Sequence, residues 1–391
     1  MTDRFLPARG DARALAQALV RIDSVNPTLV PGGAGEREAA DFLAATLDAW
    51  GFDTTVTEAA PGRLNVTATI GTGSRSLILN GHLDVVGTEG MSHPPFDADI
   101  RDGLLWGRGS SDMKAGIAAM CAAAVRSHDA GDDVRITIAA VCDEEFESLG
   151  TRALIAGGLR ADAAIVTEPT RLAIAPAHRG FAWLDIAFKG VAAHGSRYDI
   201  GVDAITHAGL VLAELDAYNH KVLAHRLHPL LGHASIHASL ISGGTGMSTY
   251  PDSCLLSVER RTLFGETTTG IAEIEAALER VQSRTPNLSA TVTLKTAQLP
   301  SDVPESSPIV RELSAALSDE GIEPRIEGFT AWTDAALFNA AGIPAICFGP
   351  GDIALAHAAE EYVSVEDIEI ATTVLARLLR RWSGERPAAD R

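Results

Sequence analysis

His82 and Asp84 interrupt the apolar run LILNGHLDVVG, residues 77–87. Residues two apart on an extended strand share a face, so a strand ending near Gly81 would send both side chains out together. That is the geometry of a metal-binding His backed by a carboxylate, and equally of a buried His bonded to its neighbour. Further candidates are Asp112 in GRGSSDMKAG, Glu144 and Glu145 in VCDEEFES, Glu168 in IVTEPT and His357 in ALAHAAEE. Singly each has an ordinary explanation: a helix cap for Asp112, a solvated turn for the Glu pair, a strand end for Glu168 before Pro169. Together they supply two histidines and several carboxylates, a set suited to two divalent ions about 3.5–4 Å apart sharing one bridging carboxylate. Imidazole and carboxylate donors without thiolate favour Zn²⁺, with Co²⁺ or Mn²⁺ as substitutes. Adjacent side chains diverge, so one of Glu144 and Glu145 should bind metal while the other faces a metal-bound water as general base.

The elements around these positions read as a layered α/β sheet. DARALAQALVRI and EREAADFLAATLDAWGF have helical spacing of apolar residues, and Gly51 supplies a stop. RLNVTATI, SLILNGHLDVV, VRITIAAVCDEE and AAIVTEP are short apolar strands, with the helical KAGIAAMCAAAVRSHDAG among them. Such strands imply a sheet buried on both faces, and open α/β sheets bind ligands at the ends of their strands. After APAHRG the texture changes to strand FAWLDIAFKG, a helix from about Asp203 to His225, strands HASIHASLISGG and SCLLSVERRTL, and helix GIAEIEAALERVQ. This order suits a small α+β domain with one open sheet face. The α/β texture then returns and closes on VEDIEIATTVLARLLRRW. An insert at residues 180–294 is therefore expected within a discontinuous domain of residues 1–179 and 295–391.

The bulk composition narrows the partners. The 391 residues exceed one ordinary core, and 46% hydrophobic with 21% charged residues describes a soluble globular chain. Acidic residues outnumber basic ones 51 to 32, and the net charge of −19 would repel nucleic acid and anionic membranes. Cys121, Cys142, Cys254 and Cys347 form no CxxC pair and read as buried free thiols in a reducing compartment. No signal-peptide core or membrane-length apolar run is present, so a cytoplasmic location is expected.

In order and spacing, GHLDVV, GRGSSDMKAG, DEE, TEP and AHAAEE resemble the M20 family of metallopeptidases and amidohydrolases. That group includes acetylornithine deacetylase, succinyl-diaminopimelate desuccinylase, aminoacylase-1 and the glutamate carboxypeptidase, and the likeness extends over nearly the whole chain. It implies a zinc-peptidase-like α/β/α catalytic domain with an inserted ferredoxin-like α+β lid that also dimerises. It further implies two Zn²⁺ per subunit, with His82 and Glu168 on one, Glu145 and His357 on the other, and Asp112 bridging. Glu144 becomes the general acid/base and Asp84 the carboxylate that orients His82. FKGVAAHGSRYDIGVDAI resembles the lid segment whose histidine, here His194, completes the active site of the other subunit in a homodimer. MSTYPDSCLLSVERRTLFGE resembles the stretch whose arginine, here Arg261, grips the substrate carboxylate. Many relatives have Pro, Asn and Pro where this chain has Tyr198, Ser248 and Phe264, and the Asn contacts substrate in them.

The implied activity is hydrolysis of an N-acyl amino acid to a carboxylate and a free amino acid. A carboxypeptidase or dipeptidase on the same scaffold is the alternative, since both bonds need the same machinery. A non-catalytic binding protein is a third reading, but metal binding alone has no use for a second, non-ligating Glu. GRGSSD lacks the third glycine of a dinucleotide fingerprint. The histidines of YNHKVLAHRLHPLLGHASIHAS have no convincing ligand spacing and read as a solvated surface. FTAWTDAALF and FGPG, which ends at Gly351, are expected to be substrate-facing loops, their glycines allowing close backbone approach.

Overall fold

The computed structural model describes residues 6–266 and 269–383. It divides into two compact units, one made of residues up to Pro176 and from Val303 onward, the other of Ala177–Asp302.

The first unit is built on a mixed sheet. Its central strands Arg135–Val141, Ser76–His82, Ala163–Val166 and Ala345–Cys347 run parallel in that spatial order. Antiparallel strands Arg63–Ile70 and Asp53–Ala60 extend one side, and Ile174–His178 adds antiparallel to Ala345–Cys347. Alternation of side chains sends Leu77, Leu79, Ile136, Ile138 and Ile165 into one core and Ile78, Ala139, Ala164 and Val166 into another. Helices Ala12–Val20, Ala115–Asp129, Pro308–Asp319 and Val365–Trp382 cover the first face, and Ala335–Ala340 the second. The every-residue burial of Ser76–His82 is the mark of a strand covered on both faces.

Local chemistry sets the ends of the helices. Gly51 has φ +91° just beyond Arg37–Ala49, a conformation that only glycine takes without cost. Val365–Trp382 starts on Ser364, whose hydroxyl accepts from Asp367 N, carries Glu366 and Asp367 in its first turn, and ends with Arg380 and Arg381. At the start of Ala115–Asp129, a Cβ on Gly116 would lie 2.1 Å from Thr167 O. The absence of a side chain there lets the helix abut the strand that leads to Glu168.

The second unit is a four-stranded antiparallel sheet in the order Ser235–Gly243, Ser253–Thr262, Gly180–Lys189, Ser289–Gln298. With helices Ala204–Lys221 and Ile271–Gln282 on one face, this is a ferredoxin-like βαββαβ arrangement. Two details differ from the sequence expectation. The first helix ends at Lys221, and a separate 3₁₀ turn covers Leu223–His225. The boundary expected at residue 294 falls inside the fourth strand, Ser289–Gln298, which pairs with Phe181–Lys189 from end to end, with one bulge at Lys295. Arg260 is buried under this sheet, where Glu273 at 2.7 Å and Glu266 at 3.1 Å neutralise it.

Candidate metal centre

The carboxyl ends of three parallel strands deliver most of the centre. His82 is the last residue of Ser76–His82, Glu144 and Glu145 follow Arg135–Val141, and Glu168 follows Ala163–Val166. Asp112 comes from the irregular turn Ser110–Lys114 that opens helix Ala115–Asp129, and His357 from the loop before strand Tyr362–Ser364, at φ +60°. His82, Asp112 and Glu168 have donor atoms all within 4.8 Å of one another, as do Asp112, Glu145 and His357. Asp112 belongs to both groups. His82 Nε2 lies 3.0 Å from Asp112 Oδ1, and His357 Nε2 lies 3.6 Å from Asp112 Oδ2 and 3.0 Å from Glu145 Oε2.

The electrostatics show what this donor set lacks. Asp112, Glu144, Glu145 and Glu168 crowd around two imidazoles, and His82, Asp112 and Glu168 are buried. Burial, with the charges of Glu168, Asp334 and Glu145, pushes Glu144 well above the usual carboxyl range against the pull of His82. Burial and the neighbouring Asp112 do the same to Glu168. Burial disfavours charge on His82, but the Asp112 carboxylate overrides it and raises the imidazole. Such packed negative charge is stabilised by divalent cations, and the all-oxygen-and-imidazole donors fit zinc, cobalt or manganese.

Asp84 does something other than the spacing suggests. His82 Nδ1 donates to the Asp84 main-chain carbonyl at 2.8 Å, while the nearest Asp84 carboxylate oxygen is 3.8 Å away. The carbonyl therefore holds the tautomer that leaves the Nε2 lone pair facing Asp112. The carboxylate instead accepts from Glu144 N at 3.1 Å, Glu145 N at 3.2 Å and Asn26 Nδ2 at 2.8 Å. Burial raises it to about 7. The same-face rule lapses because the strand ends at His82.

Comparison with known proteins places this geometry in a family. The model of peptidase family M20/M25/M40 matches residues 78–381. The chain belongs to that family. An acetylornithine deacetylase from Myxococcus xanthus is 29% identical over 357 residues, which is 88% of this chain and 92% of the relative. A probable succinyl-diaminopimelate desuccinylase from Staphylococcus epidermidis is 25% identical, covering 84% of this chain and 88% of its own. Among solved structures, an M20 family metallo-carboxypeptidase from Sulfolobus solfataricus superposes with TM-score 0.79 at 16% identity, covering 95% of this chain and 99% of that one. This M20 protein is accordingly a hydrolytic enzyme with the catalytic α/β fold and inserted α+β unit of its family.

Its remaining candidates fall in two places. Gly351 is buried in the first unit at φ +89°, and a Cβ there would meet Ser111 Oγ at 2.5 Å, so backbone conformation and packing both favour glycine. His194, Ser248 and Arg261 belong to the second unit. His194 is exposed, its Nδ1 2.9 Å from Ser196 Oγ, and a bridge to Thr249 sets it beside Ser248, whose carbonyl accepts from Gly195 N at 2.7 Å. Arg261 is half-buried, stacks 5.3 Å from the Phe181 ring centre and pairs with Glu259 at 2.9 Å.

Sequence reasoning passed over two buried carboxylates of this M20 site. Glu361 accepts from Arg108 Nη1 at 2.7 Å, Ser111 N at 3.0 Å and Asp112 N at 3.1 Å, thereby anchoring the turn that carries Asp112. It stands in the AHAAEE motif and was readable there as a candidate. Asp334 accepts from Thr151 Oγ1 at 2.6 Å, and burial raises its carboxyl. FTAWTDAALF, expected to be a loop, is instead helical from Ala335, and Asp334 stands at the start of that helix without making a side-chain capping bond.

Proposed function

We propose that this enzyme hydrolyses the amide of N-acyl amino acids with a free carboxylate, using two divalent cations per subunit, with zinc the best match. The observation that carries the reading is the pair of donor triads sharing Asp112, with Glu144 in neither but near enough to feel the charges of His82, Glu168 and Glu145. The relatives named as a deacetylase and a desuccinylase favour an acyl group on an amino acid. The chemistry supplied by bound divalent cations is acidification of a water and polarisation of the acyl oxygen. Glu144 accepts the proton of the attacking water as the new C–O bond forms, and delivers it to the leaving amine nitrogen as the tetrahedral adduct collapses and the C–N bond breaks. His194, supplied by the second subunit of a homodimer, donates to the developing oxyanion. Arg261 grips the substrate carboxylate through its planar fork, with Phe181 holding the guanidinium in place. Four free buried thiols accord with the reducing cytoplasm, and no helix of the described residues is long and apolar enough to cross a membrane.

The test is a metal-supplemented hydrolysis screen of N-acetyl, N-succinyl and N-aroyl amino acids beside dipeptides. One N-acyl class should be cleaved faster than any dipeptide, and its carboxamide analogue should be rejected. Arg261→Ala should then lose most of the discrimination between acid and carboxamide. Equal parental rates on acid and carboxamide would show that the carboxylate is not read, and faster dipeptide cleavage would favour the peptidase alternative.

The homodimer has its own test. Strand Ser235–Gly243 is an edge of its sheet, and Leu240 and Ile241 on it are 72% and 54% exposed, a surface suited to self-pairing. Mixing His194→Ala with Glu144→Gln at equal ratio under subunit exchange should restore about a quarter of the parental sites, because half the dimers are mixed and each has one site with both residues intact. Heterodimers without recovered activity would place His194 in the service of its own chain or of none.

A further inference from the structure

Asn26, Glu36 and Arg63 precede every residue of the metal centre in the chain, and nothing above gives them a task. All three are buried, and with Asp143 and Asp84 they form one continuous network. Arg63 meets Glu36 through two parallel contacts, Nε to Oε2 at 2.9 Å and Nη2 to Oε1 at 2.5 Å, and its Nη2 also lies 2.9 Å from Asp143 Oδ1. Asn26 Nδ2 donates to Asp143 Oδ1 at 3.1 Å and to Asp84 Oδ2 at 2.8 Å. An amide nitrogen has two hydrogens, so both are used, one on each carboxylate. Asn26 Oδ1 accepts from Thr28 N at 2.9 Å, which fixes which way the amide faces.

The network ends on the two glutamates. Asp84 Oδ1 accepts from Glu144 N and Asp84 Oδ2 from Glu145 N. Asp143, immediately before them, holds φ +65°, and its carbonyl accepts from Glu147 N at 3.2 Å and Ser148 N at 2.6 Å. That left-handed conformation carries a modest cost for an aspartate, and here the surroundings hold it. Asp143 is clamped by Arg63 and Asn26 on its side chain and by the turn on its carbonyl. Two of the three carboxylates, Glu36 and Asp143, contact the one guanidinium, and the neutral Asn26 amide is what joins the third, Asp84, to Asp143. Its two donated bonds bridge them where an aspartate would add a fourth charge.

We propose that Asn26 and Arg63 are positioning residues that act through Asp143 and Asp84 to hold the backbone of the Glu144–Glu145 pair. Their work is to keep one glutamate directed at metal and its neighbour free for proton transfer. The proposal rests on the functional reading of Glu144 given above, and its consequences separate from that reading in the following experiment.

In metal-free protein, amide exchange at Glu144 and Glu145 should be at least about tenfold faster in Asn26→Ala than in the parent, because both N–H groups lose a fixed acceptor. In the metal-loaded enzyme, Asn26→Ala should lower kcat by about 10–100-fold with KM little changed, as expected for a misplaced catalytic group. In a Glu144→Gln background the same substitution should cost no more than about twofold, since the group it positions is already gone. Arg63→Lys, which keeps the charge and loses the fork, should move all three readings in the same direction by less, and it carries the same cycle if Asn26→Ala fails to fold. Equal losses in both backgrounds, or unchanged amide exchange, would overturn the proposal. A fully active Glu144→Gln would instead remove the functional reading, and the exchange measurement would still decide whether Asn26 holds the two amides.

Discussion

Glu144→Gln is expected to lower kcat by about two to four orders of magnitude while the metal content of the protein stays at its parental value. Glutamine keeps the shape of the side chain and cannot accept the proton of the attacking water. The main-chain bond from residue 144 to Asp84 is unaffected by the change, so the turn and the neighbouring Glu145 keep their places. Activity and metal analysis on the same preparation check both halves of the expectation. Metal lost in proportion to activity would move Glu144 into the set of ligands and leave the enzyme without an identified base.

Glu361→Ala should be the most damaging change for stability around the centre. The side chain is fully buried and receives the Arg108 guanidinium and the N–H groups of Ser111 and Asp112. Truncation leaves Arg108, itself 2% exposed, as an uncompensated buried charge. The expected loss is about 3–5 kcal/mol in urea unfolding of the metal-free chain. Metal retention should weaken in parallel, because the backbone of Asp112 loses its anchor. Glu361→Gln, which retains an acceptor for those amides, should cost less. A loss below about 1 kcal/mol for the alanine variant would mean that water reaches Arg108 and takes over the role.

The sequence makes the sheet and the donors legible because both follow short-range rules. Apolar runs identify the parallel strands, and charged or imidazole side chains at their ends stand out against them, as with His82 and Glu168. What it conceals depends on partners far apart in the chain. Asn26 bonds to residues 58 and 117 positions away, and nothing in SVNPTLV announces it. The contribution of Asp84 is hidden differently: the spacing to His82 is right, but the chain leaves the strand at His82, so the carbonyl and not the carboxylate meets the imidazole. The Ser289–Gln298 strand was obscured by its own composition, since threonines and a lysine on the open face of a sheet look like a solvated connection.

One topological detail sets the order in which the molecule can be assembled during synthesis. Strand Ala345–Cys347 does not extend the sheet at an edge; it lies between Ala163–Val166 and Ile174–His178, which precede it by more than 160 residues. Until that segment leaves the ribosome, those two strands have no common neighbour to join them. The intervening Ala177–Asp302 unit, with a core of its own, has everything it needs to fold first. That later-made segment then inserts into a waiting gap and brings His357 with it ten residues later. A nascent chain stalled before residue 345 would therefore carry most of the metal donors but not the second imidazole, and would gain high metal affinity only once residue 357 has been made.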